Sequence, residues 1–273
     1  MSLVAAVQMN SQDDVAANLS SAQRLLEQAA AQGATLAVLP ENFAFMGARD
    51  TDKLAHAEVE GSGPIQDFLA EISARLKLCI VGGTMPLTVP GKTDKVYAAS
   101  LVVDAQGQRV ARYDKIHLFD VEVMRNGKAE AYRESASIDY GATNPVAIAT
   151  PAGMLGLSVC YDLRFPELYR SLTKNGAEIL CVPSAFTDKT GEAHWEILLR
   201  ARAVENFCFV IAPNQAGTHP GGRRTWGHSM IISPWGEILS QRADGEGIVL
   251  ADVDRVKQSQ IRSSFPSLTH RRI

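Results

Sequence analysis

This chain of 273 residues is defined first by what it lacks. Its four cysteines, Cys79, Cys160, Cys181 and Cys208, are widely spaced and form no CxxC pair. That pattern argues against a zinc knuckle or a disulfide framework, and it fits a reducing, cytoplasmic setting. No apolar run is long enough to span a bilayer. Residues Met1–Gln8 carry no positive leader and read as a first strand, so no membrane partner is expected. Basic residues are not in excess, with 27 Lys and Arg against 30 Asp and Glu for a net charge of -3. A nucleic-acid partner is therefore not expected. HExxH, P-loop and GxGxxG patterns are missing. Zinc hydrolysis, nucleotide transfer and a Rossmann cofactor thus have no motif, and neither metal nor organic cofactor is expected.

What is present is ordinary globular material: 46% hydrophobic and 21% charged residues, enough for a large core. The elements alternate. Val15, Leu19, Ala22, Leu26 and Ala29 mark one face of a helix that ends near Gly33. Thr35–Leu39 is a continuously apolar strand stopped by Pro40. A second helix is predicted from Pro64 to about Leu76, with strands over 78–84 and 96–103 and a hairpin return at 109–113. Residues 121–143 show little periodicity and read as a long functional loop in a pocket wall. Further strands are predicted over 154–160, 178–182 and 207–213, and helices over 166–175 and 192–206. Residues 217–224 form a Gly-rich basic loop. A β-meander is expected over 227–232, 237–241 and 248–253. The chain reads as one domain, 1–273, with a polar, basic arm from about 254.

Gly33–Phe43 can be laid on Gly176–Phe186 without a gap, and Gly, Ala, Pro and Phe coincide. The echo arises either from two similar βα units or from a pseudo-two-fold domain in which both strands end at one pocket. In the second case Glu41 has only Ser184 as its counterpart.

Three polar residues stand just past apolar strands: Glu41, Lys115 and Cys160. Taken singly, each has a bland reading. Cys160 would be a small buried hydrophobe, Glu41 a solvated carboxylate and Lys115 part of a charged turn. Together they form a working set. A thiol needs a base, a carboxylate in an apolar pocket can take its proton, and an ammonium stabilises the thiolate and an oxyanion. A Cys/His dyad is the alternative, though His117, His194 and His228 give it little support.

Three blocks now stand in order: Leu39-Pro40-Glu41-Asn42, Tyr113-Asp114-Lys115-Ile116-His117-Leu118-Phe119, and Cys160-Tyr161-Asp162-Leu163-Arg164-Phe165-Pro166-Glu167. On these the chain resembles the nitrilase superfamily of carbon–nitrogen hydrolases over essentially its full length, and within it the Nit branch. The resemblance implies an α/β four-layer αββα sandwich and amide hydrolysis through a cysteine thioester. It implies a catalytic Glu41-Lys115-Cys160 triad, with Glu134 as a second glutamate. Lys115 and the backbone N–H of Tyr161 would hold the oxyanion. Substrate contacts are expected from Arg164, Ser184, Phe186 and Thr187, with Arg223 and Arg224 as candidates for a distant carboxylate. The implied substrates are small 2-oxo acid amides, and the implied assembly is a homodimer or larger homo-oligomer. A non-catalytic binding or scaffolding homologue is the alternative of another class; it predicts an unreactive Cys160.

Overall fold

Strand pleating sets the layers. In a computed structural model, which describes residues 1–125 and 128–272, β1 (Ser2–Gln8) sends Val4 and Ala6 to one core. Ala5 and Val7 go to another. The chain continues as α1 (Val15–Ala31), β2 (Leu36–Val38), α2 (Pro64–Leu76), β3 (Cys79–Val81), β4 (Met85–Thr88), β5 (Val96–Val103) and β6 (Arg109–Asp114). Asp14 caps α1 by accepting the Ala17 N–H at 3.0 Å. Buried Ala22, Leu25, Leu26 and Ala29 lay that helix on the β1–β2–β3 sheet. Pro64 opens α2, and the buried Glu58 carboxylate accepts the Ile65 N–H at 2.6 Å.

Next comes a hairpin, β7 (Asp120–Arg125) and β8 (Lys128–Arg133). The second half comprises β9 (Ala147–Thr150), β10 (Gly153–Leu157), α3 (Pro166–Lys174), β11 (Ile179–Cys181), α4 (Asp188–Asn206), β12 (Phe209–Ala212), β13 (Ala216–Thr218), β14 (Arg224–Trp226), β15 (Ser229–Ile232), β16 (Ile238–Arg242), β17 (Gly247–Val253) and α5 (Arg255–Ser264).

The two sheets repeat one plan. The first runs β17-β1-β2-β3-β5-β4, and β6 also pairs with β5; the second runs β16-β15-β12-β11-β10-β9. β1, β2 and β3 are parallel, as are β10, β11 and β12. Antiparallel β5 flanks β3, and antiparallel β15 flanks β12. The β5–β6 and β15–β16 hairpins both carry a register irregularity, at Val102/Val103 and at Ile231/Ile232. Val4, Leu36 and Val81 of the first sheet share a core with Leu157, Cys181 and Ile211 of the second. α1 and α2 cover one outer face, and α3 and α4 cover the other. This is a four-layer αββα sandwich with internal two-fold pseudo-symmetry, the second of the two readings open to the sequence echo.

Several elements differ from expectation. Residues 121–143 are not a loop: the stretch contains β7, β8 and a 3-10 turn at Glu134–Ala136. Its residues 126 and 127 lie outside the described residues. The expected meander is broken, because β17 leaves β16 and pairs antiparallel with β1 along seven residues. β10 ends at Leu157, so Cys160 stands beyond the strand and opens a 3-10 turn, Cys160–Arg164. α4 begins at Asp188, four residues before the expected start, since Thr187 is already extended at φ -62, ψ 150. His194 consequently lies inside that helix. From 254 onward the chain forms α5, whose Gln258 side chain donates to the carbonyls of Glu178 (2.7 Å) and Phe207 (2.8 Å). Among the described residues no helix is long and apolar enough to cross a membrane.

Candidate active site

The parallel strands of both sheets end at the same place. β2 is followed by Pro40 and Glu41, and β11 by Pro183, Ser184 and Ala185. These ends face each other: Glu41 Oε2 accepts the Ala185 N–H at 2.9 Å, while Oε1 accepts Lys115 Nζ at 2.8 Å. Gln215 Nε2 holds the Glu41 carbonyl at 3.0 Å. Lys115, one residue past β6, is only 1% exposed. It also donates to both carboxylate oxygens of Glu134, at 2.9 and 2.8 Å. Glu134 is fixed in turn by the Phe119 N–H at 2.7 Å.

The charges decide the protonation states. Burial works against the Lys115 ammonium, but Glu134 and Glu41 outweigh it and hold its pKa well above the ordinary lysine value. Burial works against the Glu134 carboxylate as well, yet Lys115 and Lys53 keep its pKa below the ordinary value. The Cys160 thiol is pushed well above its usual pKa, first by burial and then by Glu41, against the pull of Lys115. That direction favours the thiol over the thiolate, with Glu41 beside it.

Cys160 is presented by a strained turn. Its φ is +46°, a region a side chain rarely adopts, and its N–H donates to the Pro183 carbonyl at 2.9 Å. The fully buried Asp162 steadies this turn. One of its oxygens accepts the Val159 N–H at 2.8 Å and the Tyr113 hydroxyl at 2.6 Å. The other faces the His117 N–H at 3.1 Å and His117 Nδ1 at 2.7 Å. Val159 precedes the cysteine, and Tyr113 and His117 flank Lys115, so one carboxylate ties the two segments together. The His117 ring also stacks on Phe165, 3.7 Å between centroids. From α4, Arg202 grips the far end of the turn with two bonds to the Leu163 carbonyl, 3.0 and 2.8 Å. Tyr161, the next residue in this turn, lines the same cleft.

That cleft measures about 520 Å³ and opens to solvent. It brings Glu41, Lys115, Glu134, Cys160 and Tyr161 together with Arg164, Phe186 and Thr187. Arg164 lies over the rings of Tyr161 and Phe186, at 5.7 and 5.6 Å, and approaches His194 Nδ1 at 3.3 Å. Ser184 does not belong to the lining. It is fully buried and donates its hydroxyl to the Val182 carbonyl at 3.0 Å; Ala185 takes the wall position. Of the two loop arginines, Arg223 lines the cleft, while Arg224 is exposed and lies 3.8 Å from Asp188. Lys53 and Asp50 also line it, which the sequence reading missed: their segment, Asp50-Thr51-Asp52-Lys53, has the polarity of any surface turn. Among the described residues no cluster of three His, Cys, Asp or Glu side chains is placed to hold a metal ion.

A thiol beside a carboxyl group and an ammonium locked by two carboxylates can support acyl transfer. The comparisons agree with this chemistry. Residues 3–263 match the family model described as carbon-nitrogen hydrolase. A deaminated glutathione amidase from Synechocystis sp. is 44% identical over 270 residues, 98% of this chain and 97% of that protein. A deaminated glutathione amidase from Yersinia enterocolitica is 42% identical over 270 residues, 98% of this chain and 92% of that protein. The crystal structure of Saccharomyces cerevisiae Nit3, a member of branch 10 of the nitrilase superfamily, superposes with a TM-score of 0.84 at 32% identity. The match covers 97% of this chain and 94% of Nit3.

Proposed function

The chain belongs to the carbon–nitrogen hydrolase family, and from that premise we propose that it is an amidase acting on deaminated glutathione. It cleaves the 2-oxoglutaryl amide bond to give 2-oxoglutarate and cysteinylglycine. One observation carries the choice of substrate. The cleft is lined by four cations, Lys53, Lys115, Arg164 and Arg223, against three carboxylates, Glu41, Asp50 and Glu134, a net charge of +1. Glu41 and Glu134 both engage Lys115, which leaves Lys53, Arg164 and Arg223 as the cations available to a substrate with more than one carboxylate. Deaminated glutathione carries two carboxylates, and 2-oxoglutaramate, the substrate of an ω-amidase, carries one. The relatives that bear this activity in their names support the same reading.

In the proposed mechanism Glu41 takes the Cys160 proton as the sulfur attacks the amide carbon. The C–S bond forms and the carbonyl electrons move to oxygen, where Lys115 and the Tyr161 N–H receive the charge. Collapse breaks the C–N bond, and Glu41 returns its proton to the departing amine of cysteinylglycine. Water then enters, gives a proton to Glu41 and attacks the thioester. Release of 2-oxoglutarate restores the thiol. Glu134 holds Lys115 in place. The reaction needs neither metal nor organic cofactor. The enzyme works as a homodimer or larger assembly through α3 and α4, where Ile197 is 68% exposed on the outer surface; light scattering tests that.

The deciding assay measures 2-oxoglutarate release from deaminated glutathione and from 2-oxoglutaramate, with wild type and Cys160→Ala in parallel. Preference for the dianion, abolished in the variant, is the expected result. Preference for 2-oxoglutaramate would keep the mechanism and change the substrate. Activity that survives in Cys160→Ala would refute the thioester route.

A further inference from the structure

Deaminated glutathione differs from glutathione at one atom that matters: a carbonyl replaces the α-ammonium beside the terminal carboxylate. An enzyme that removes the first must spare the second. Charge can discriminate between them, because two like charges a few ångströms apart in a partly buried site repel by a few kcal/mol.

The cleft contains the means. Lys53 comes from the 3-10 turn Asp52–His56, and Arg223 from the loop before β14. Both line the cleft beside Glu134 and Cys160. The carboxylates that act on the Lys53 charge are Glu134, Asp50 and Glu41, and the first and last of these are bonded to Lys115. Arg223 lies over the Tyr132 ring at 5.7 Å, and one amino group reaches the Ala185 carbonyl at a long 3.5 Å. Its Nε is buried without a hydrogen-bond partner. Burial lowers the Lys53 pKa and the nearby Arg223 lowers it further, against the pull of Glu134 and Asp50. A ligand anion would relieve both groups. Arg164, by contrast, makes an exposed contact with His194 and lies over the rings of Tyr161 and Phe186.

Resting on the substrate reading above, we infer that Lys53 and Arg223 form the subsite for the 2-oxo acid carboxylate and that their charge excludes α-ammonium substrates. Arg164 receives the glycine carboxylate of the departing dipeptide. The short acyl group then lies in the inner part of the cleft, and the longer leaving group lies toward solvent, where it can depart. Asp50 offsets part of the repulsion, so Lys53 and Arg223 act together.

Cysteinylglycine is the common product of both peptides, so one assay compares them. Lys53→Met is expected to lower kcat/KM for deaminated glutathione by about 10- to 100-fold. Glutathione turnover should fall less or rise, narrowing the preference about tenfold or more. Lys53→Arg should keep most of the preference, and Arg223→Met should repeat the narrowing from a different segment. Calorimetry on Cys160→Ala, with and without Lys53→Met, reads the same preference as binding and does not depend on turnover. Equal losses on both peptides, with the preference intact, would overturn the subsite while leaving the substrate assignment standing. A wild type inactive on deaminated glutathione would overturn that assignment and the subsite with it.

Discussion

The two halves of the sandwich use the same strand ends for different purposes. After β2 and Pro40 the chain places Glu41; after β11 and Pro183 it places Ser184, whose hydroxyl turns back to the Val182 carbonyl. The position that matches Cys160 in the first half is Met9, just past β1, fully buried in the core. After β10 stands Cys160, strained and facing the cleft. One half supplies the carboxylate and the other the thiol, and the matching position in each is structural. The symmetric frame brings strand ends together, and the departure from symmetry makes a site. The second half gives the base a backbone donor, Ala185, where a second carboxylate would have repelled it.

Exchanging roles between equivalent positions tests this most severely. Cys160→Ala should lose about 10^4-fold or more in kcat, and Glu41→Gln about 10^3-fold. Ser184→Ala should lose about 1 kcal/mol of stability and retain activity. Steady-state kinetics and urea unfolding on the three variants separate the cases. A Ser184→Ala enzyme as damaged as Glu41→Gln would mean that the halves share the chemistry after all.

The next effect concerns the tie between halves. Asp162 collects donors from the Cys160 turn and from both sides of Lys115. Asp162→Asn turns one oxygen into a donor that faces donors, which should cost about 3 kcal/mol of stability. Displacing sulfur from ammonium by a fraction of an ångström should lower kcat by about 100-fold with KM little changed. Tyr113→Phe removes one of the bonds and should show a smaller loss of the same kind. Destabilised variants with normal kcat would make Asp162 a fold residue and no more.

Much of this was legible in the sequence because strand ends are. A short apolar run marks where a buried strand leaves the sheet: Glu41 stands just past one that Pro40 breaks, Cys160 ends another, and Lys115 follows the more polar strand Arg109–Asp114. The residues beyond a strand end are harder to orient. Ser184 and Ala185 differ by one residue in phase, and only the path of the chain decides which of them faces the cleft. Lys53 lies in a polar segment without periodicity; tertiary packing alone carries it to the site. The β17 crossover was hidden for a similar reason. Its alternation fits an edge strand of either sheet, and pairing with β1 is a long-range choice that no turn signals.

A last effect, on stability alone, separates the two cleft walls by pH. The wall from the second half, β13–β14, hangs on His219, 3% exposed, whose ring bridges the Ser11 carbonyl at 2.8 Å and Thr225 Oγ1 at 2.7 Å. Burial, partly countered by the Ser11 bond, lowers its pKa from 6.5 to about 4. The folded protein thus binds this proton less well than the unfolded chain. The stability it contributes is complete above pH 6.5 and is lost as pH falls toward 4, by about 3 kcal/mol. Glu134 acts in the same direction but only below its ordinary value of 4.5. Thermal unfolding of wild type and His219→Gln between pH 7.5 and 4.5 should therefore show a steeper acid decline in wild type. Parallel stability curves would place the acid sensitivity elsewhere in the fold and leave the two walls alike.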